Sequence, residues 1–326
     1  MTNTSYNRPA AGIAFIVAGM TAISINDVMV RQLSGGYPLH QIVLFRSLIG
    51  LICILPLIYA EGGLAILKTD RPFLHALRGL LIVVSNMTFF VAIAVAPLAE
   101  VTAIFFIAPL FITLLSIPML GEKVGRLRLG AVAVGFAGVI LMQRPWEGTV
   151  GRDAQWYILF LPVIAALCYA MMQLMTRKLG QSTKVPALIA YIQIAFIIVS
   201  TGFYLAVGDG RLAEGTDDPS LIFLFRPWVW PQPGDWVFLI GLGLNSSIVG
   251  YCLSQAYRLA DAATVSPFEY TGLPLAVLWG WLFWSEIPDL AVWTGILLIM
   301  GAGLFVFFRE QQKSRVVASR GLRRRT

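Results

Sequence analysis

Charge is what this sequence has least of. Only 13% of its 326 residues are Asp, Glu, Lys or Arg, against 58% hydrophobic, and the mean hydropathy is +0.77. A soluble domain of this length needs far more charge to cover its surface, so a water-soluble enzyme is excluded. Histidine is nearly missing: His40 and His75 are the only two, each near the end of an apolar run. No His-Glu-x-x-His helix, no Gly-x-Ser-x-Gly elbow and no Gly-x-x-x-x-Gly-Lys-Ser/Thr phosphate loop occurs, which argues against an intramembrane enzyme and an ATP-driven pump. The three cysteines, Cys53, Cys168 and Cys252, all fall inside apolar runs without metal-ligand spacing, so neither a metal site nor a disulfide framework is expected. No cofactor is expected either. The N-terminus lacks a signal-peptide cleavage pattern, so the first apolar run is expected to stay as an anchor.

What is present is apolar sequence in lengths that span a bilayer. Ten such runs fall at roughly 11–33, 39–60, 74–95, 98–119, 126–143, 155–176, 185–207, 236–257, 262–284 and 289–308. They do not alternate as barrel strands do, and backbone groups in hydrocarbon must bond internally, so the expectation is an all-α integral membrane protein of ten transmembrane helices. Net charge is +7, with basic residues concentrated on one side of these runs. With the N-terminus inside, Arg8, Lys68, Arg71, Arg78, Lys123, Arg126, Arg128, Arg177, Lys178, Lys184, Arg258 and the tail fall inside. Arg31, Arg144, Arg152, Arg211 and Arg226 fall outside. That bias predicts cytoplasmic N- and C-termini in the inner membrane. The tail GLRRRT then faces solvent or lipid headgroups rather than nucleic acid.

The chain is also duplicated. APLAEVTAIFFIAPLFITLLSIPMLGE (96–122) matches ADAATVSPFEYTGLPLAVLWGWLFWSE (260–286), with Glu122 on Glu286 and Phe105 on Glu269. SINDVMVRQL (24–33) matches AMMQLMTRKL (170–179), with Arg31 on Arg177. The division expected is a cytoplasmic segment 1–10, a first repeat 11–143, a linker 144–154, a second repeat 155–308 and a basic cytoplasmic tail 309–326. Five spans per repeat is an odd number, so the second copy lies upside down. Inverted repeats bind substrate near the midplane and work by alternating access.

Polar groups within the runs are the candidate site. Asp27, with Asn26, lies roughly 9 Å from the outer end of the first span at 1.5 Å per residue. Arg46 lies at similar depth in the second span, so Asp27 and Arg46 form a candidate ion pair, structural or in contact with substrate. Asn86, with Phe89 near it, and Gln173, with Tyr169 one turn before it, are further candidates. Pro109 is expected to kink the fourth span. The eighth span carries a polar stripe through Ser247, Tyr251, Gln255 and Arg258, expected to line a cavity. Glu269, beside Tyr270, is an intramembrane carboxyl suited to a proton or a cationic substrate, or else to a structural bond with Arg258. The Trp- and Pro-rich segment within 208–234 is expected to anchor at the interface, with a lid as the alternative.

With these stretches, together with GAVAVGFAGVILM (130–142) and TGILLIMGAGLFVFF (294–308), the chain resembles the EamA-type transporters of the drug/metabolite transporter superfamily from about residue 11 to 308. INDV (25–28), RPFLHALRGLL (71–81), DAATVSPFEY (261–270) and SEIPD (285–289) are similar to stretches of bacterial S-adenosylmethionine importers, and these pieces are shared with riboflavin carriers. The resemblance implies a cavity lined by spans 1, 3, 4, 6, 8 and 9. It also implies a secondary transporter of a small organic metabolite, such as S-adenosylmethionine or riboflavin. The partners expected are the bilayer and that substrate, with proton or counter-substrate coupling and oligomeric state left open. Export of amino acids or related metabolites is the alternative, followed by a passive channel or membrane scaffold.

Overall fold

In runs with so little charge, the backbone has no partner except itself, and helices are the outcome. A computed structural model describes residues 9–120, 125–143, 158, 160–179, 183–259 and 266–323, and no strand occurs among them. The first half contributes α1 (Pro9–Leu33), α2 (Leu39–Ala60), α3 (Pro72–Val95), α4 (Leu98–Phe105), α5 (Ala108–Leu120) and α6 (Arg126–Gln143). The second contributes α7 (Leu161–Leu179), α8 (Val185–Val207), α9 (Pro219–Phe225), α10 (Trp236–Leu259), α11 (Gly272–Trp284) and α12 (Leu290–Arg323). Among the described residues, six segments are long and apolar enough to cross a membrane: Ala10–Leu33, Leu39–Ala60, Pro72–Val95, Leu98–Leu115, Val185–Val207 and Trp236–Leu253. Leu129–Met142, Leu161–Thr176 and Leu290–Phe305 are apolar but shorter.

Helices from the two halves pack pairwise: α1 on α10, α3 on α7, α2 on α8, α4 on α11 and α6 on α12. Small residues permit the closest of these approaches. A Cβ on Gly138 of α6 would stand 3.0 Å from the carbonyl oxygen of Gly295 of α12. Side-chain bonds to backbone carbonyls tie other pairs: Ser85 to Ala165 (2.8 Å, α3 to α7), Asn245 to Ala22 (2.7 Å, α10 to α1) and Ser247 to Gly50 (3.0 Å, α10 to α2). Two large apolar clusters form the interior, and Phe105 and Tyr169 pack against both.

Several boundaries differ from those predicted. The fourth run is not one kinked helix: α4 stops at Phe105, the chain turns at 106–107, and α5 begins at Ala108. Pro109 therefore occupies a first helical turn, where its missing N–H costs nothing, and it starts a helix rather than bending one. It also leaves the Phe105 carbonyl without an i+4 donor. The ninth run begins, within the described residues, as a 3₁₀ segment Ser266–Thr271 ahead of α11. The last helix runs on to Arg323 instead of ending near 308. The linker 144–154, residues 1–8, Glu122, the start of the ninth run and the side chains of Arg177, Arg258 and the tail lie outside the description.

The connection 208–235 is fastened across the end of the bundle where α1 meets α2. Tyr37 donates to Asp235 (2.5 Å) and accepts from the Gln232 N–H (3.0 Å). Gln41 exchanges two hydrogen bonds with the Val229 backbone, and Arg226 donates to the Gly35 carbonyl (2.6 Å). Partial burial, and then Asp235 as acceptor, raise the Tyr37 pKa, which keeps this phenol a donor. Trp228 lies 4.3 Å from Tyr204 and 6.0 Å from His40, ring centre to ring centre, so it packs as part of the strap.

Candidate functional site

The turn that interrupts the fourth run meets the 3₁₀ segment that leads into α11. Phe106, in the turn between α4 and α5, stands with its ring 5.5 Å from that of Tyr270 in the 3₁₀ segment. A Cβ on Gly272 would come 3.0 Å from the Phe106 ring edge, so the ring packs directly on the bare backbone at this glycine. From there rings continue across the seam between the two apolar clusters. Phe105 is 6.4 Å from Phe106, 5.1 Å from Phe89 on α3 and 5.4 Å from Tyr169 on α7. Offset and tilted rings at these spacings attract one another and pack a dry interior.

Glu269 stands at this junction. It is half-buried, and its charge acts on the phenols of both Tyr169 and Tyr270. Gln173, one turn further along α7, donates from Nε2 to the Tyr169 hydroxyl at 2.6 Å and so fixes that phenol. Tyr270 is 5% exposed, and its hydroxyl has no partner among the described residues. The hydroxyl fits only because residue 303 is glycine, where a Cβ would lie 1.7 Å from Oη. A carboxyl, two phenols and a row of aromatic faces can hold a positively charged, planar organic molecule.

The other predicted residues separate into distinct places. Asn26 and Asp27 are each 7% exposed on α1, and the Asn26 side chain hydrogen-bonds Asp27. Arg46, 5% exposed on α2, interacts electrostatically with Asp27, but no contact within 4.0 Å joins them among the described residues. Its guanidinium instead lies over Phe196 (4.9 Å) and Phe90 (5.3 Å). Asn86 bonds the Ile82 carbonyl of its own helix at 3.0 Å. The stripe on α10 divides rather than lining one cavity. Asn245 and Ser247 bind α1 and α2 as described, whereas Tyr251 is 37% exposed and shares with Gln255 a narrow crevice beside α2 and α8.

One cluster is absent from the predicted set. Arg31, at the end of α1, makes a two-pronged ion pair with Glu286, Nη1 to Oε2 at 2.8 Å and Nη2 to Oε1 at 2.5 Å. The Leu98 N–H, at the start of α4, donates to the same Oε2 at 3.1 Å, and Trp284 lies under the guanidinium at 4.3 Å. Ser285 adopts a left-handed conformation (φ 55°) to turn Glu286 back toward the bundle. The side chains are 10% and 22% exposed, sheltered enough for the pair to be effective. The signal was in the sequence: the inverted arrangement expected from it would put Arg31 and Glu286 at the same end, and Glu286 closes the repeated stretch.

Apolar helices of membrane-spanning length wrapped around buried polar groups define a multi-pass membrane protein. Residues 10–144 and 155–308 each match the EamA-like transporter family, and the chain belongs to that family. It is 27% identical over 301 residues to the S-adenosylmethionine uptake transporter of Rickettsia prowazekii, covering 92% of this chain and 94% of that one. It is 29% identical over 311 residues to the riboflavin transporter of Rhizobium johnstonii, covering 95% of each. Identity to the pseudopaline exporter CntI of Pseudomonas aeruginosa is 25% over 292 residues, covering 89% and 94%. A previously solved crystal structure matches with a TM-score of 0.62 at 20% identity, over 92% of this chain and 98% of the other, which shows a shared fold.

Proposed function

We propose that this protein is a secondary transporter with ten spans in two inverted repeats, both termini cytoplasmic. It carries a small organic metabolite with a planar ring, such as the sulfonium cation S-adenosylmethionine or the neutral riboflavin, by alternating access. The observation that carries this is the meeting of the turn between α4 and α5 with the 3₁₀ segment ahead of α11, at Phe106 and Tyr270, where the Glu269 charge acts on two phenols. Discontinuous helices at a repeat interface are where such carriers coordinate substrate. Helix pairing supports the symmetry. Duplication maps α1 on α7 and α3 on α10, so the α1–α10 pairing has α3–α7 as its counterpart. Each of α2–α8, α4–α11 and α6–α12 is its own counterpart.

The Arg31–Glu286 pair, with the Leu98 N–H, joins the halves at what is then the external end and acts as a closed external gate. Asp27, Asn26 and Arg46 line the approach beneath it. The relatives named as uptake transporters for S-adenosylmethionine and riboflavin supply the two substrates to try first. Uptake of each, radiolabelled, into proteoliposomes holding wild type or Glu269→Gln tests the assignment. Saturable wild-type uptake of one compound, weakened by the substitution, is expected. Uptake of neither above protein-free vesicles removes these substrates from consideration.

A further inference from the structure

At the end of the bundle opposite the strap, the α2–α3 connection and the α7–α8 connection enclose a crevice of about 330 Å³ lined by Lys68, Thr69, Asp70, Arg71, His75 and Lys184, among others. We propose that this crevice binds a phosphate group, carried either by the headgroup of an acidic phospholipid or by a free solute.

Two helices begin at its walls. Arg71 precedes α3 and Lys184 precedes α8, and neither helix start has a side-chain cap. Unpaired N–H groups and the positive end of the helix dipole favour an anion at both. The Lys68 and Arg71 side chains are exposed and have no hydrogen-bond or ion-pair partner among the described residues, Asp70 included. Lys184 is held at the rim by a bond to the Glu61 carbonyl. His75, 4% exposed, forms the floor, its ring 4.6 Å from that of Tyr191 and its Nε2 3.5 Å from the Thr183 hydroxyl. One turn deeper, Arg78 is 2% exposed and bonded only to the Leu188 carbonyl (2.6 Å) and the Thr176 hydroxyl (3.2 Å). Its charge has no carboxylate partner among the described residues.

Three cationic side chains, Lys68, Arg71 and Lys184, thus line one crevice that holds a single carboxylate, with Arg78 buried behind its floor. A phosphate oxygen is the acceptor that guanidinium, ammonium and helix-start N–H groups share. The crevice lies where apolar α2 and α3 end, the level at which lipid headgroups sit, and its open side admits solutes as well. The proposal concerns residues other than those at the Glu269 junction and holds whatever solute is carried.

The test is thermal unfolding of the purified full-length protein in detergent, titrated separately with dioctanoyl phosphatidylglycerol, dioctanoyl phosphatidylcholine and inorganic phosphate at fixed ionic strength. A saturable rise in Tm with phosphatidylglycerol is expected, larger than with phosphatidylcholine. Lys68→Gln/Arg71→Gln is expected to shift its midpoint to about tenfold higher ligand, the loss of two charge contacts of surface strength. Arg211→Gln, an exposed cation on the strap, should leave it unchanged. Saturable stabilisation by inorganic phosphate as well identifies a free phosphate as the ligand, and phosphatidylglycerol alone identifies lipid. Lys68→Gln by itself, which removes only an exposed side chain, gives a second reading if the double variant unfolds. Absence of saturable stabilisation by either anion, or the same midpoint in the variants as in wild type, overturns the proposal.

Discussion

Glu269 is where the two copies of the repeated stretch differ most in chemistry, since its counterpart is Phe105. One wall of the junction therefore offers a carboxyl and the other a ring, and a cation with a flat face uses both. Glu269→Gln keeps the shape and removes the charge. It is expected to raise KM for a cationic substrate about tenfold or more, the worth of one sheltered charge contact. Uptake kinetics across a pH series check this, and unchanged KM at every pH would exclude Glu269 as the substrate's counter-charge. Gly303 answers a different question, whether Tyr270 is held where it stands. An added methyl at residue 303 would overlap the phenol, and overpacking of this kind costs about 1–3 kcal/mol. Gly303→Ala is thus expected to lower Tm and to weaken transport together. Retention of both would mean the ring moves freely.

At the scale of elements, the Arg31–Glu286 clamp makes the sharpest prediction. Arg31→Gln and Glu286→Gln each remove a two-pronged pair sheltered from solvent, a loss of about 1–3 kcal/mol. That is enough to shift an open–closed equilibrium five- to roughly hundredfold. Labelling of Asn26→Cys, in a background lacking Cys53, Cys168 and Cys252, by an impermeant thiol reagent is expected to speed up at least about fivefold in either variant. An unchanged rate would show that the pair does not gate that end. The helical, membrane-spanning character of the apolar runs was legible in the sequence, because apolar length survives without tertiary context. The break ahead of Pro109 was legible only as a kink: whether proline bends a helix or begins one depends on what the preceding residues pack against. Arg31–Glu286 was missed because a charge at a span end reads as solvated until topology puts its partner beside it. The polar stripe on α10 misled for the opposite reason, since helical spacing places residues on one face but does not choose which helices that face meets.

For the whole molecule, duplication and charge pairing combine. Arg177 and Glu122 hold in their copies the places of Arg31 and Glu286, although Glu122 and the Arg177 side chain lie outside the described residues. Alternating access then predicts opposite consequences: neutralising Arg177 should favour opening at the internal end and slow labelling of Asn26→Cys from outside. Faster labelling would remove the proposed reciprocity. On the proposed alternating access, the two apolar clusters that share Phe105 and Tyr169 would be the bodies that part in turn. Counterflow is the measurement that tests this most directly. Proteoliposomes preloaded with unlabelled substrate are placed in trace labelled substrate, with no gradient of any other solute. A carrier that exposes one site alternately to each side predicts transient accumulation of label above its external concentration, lost in Glu269→Gln. Entry that only approaches the external concentration, rising linearly with it, would contradict alternating access and point to a channel.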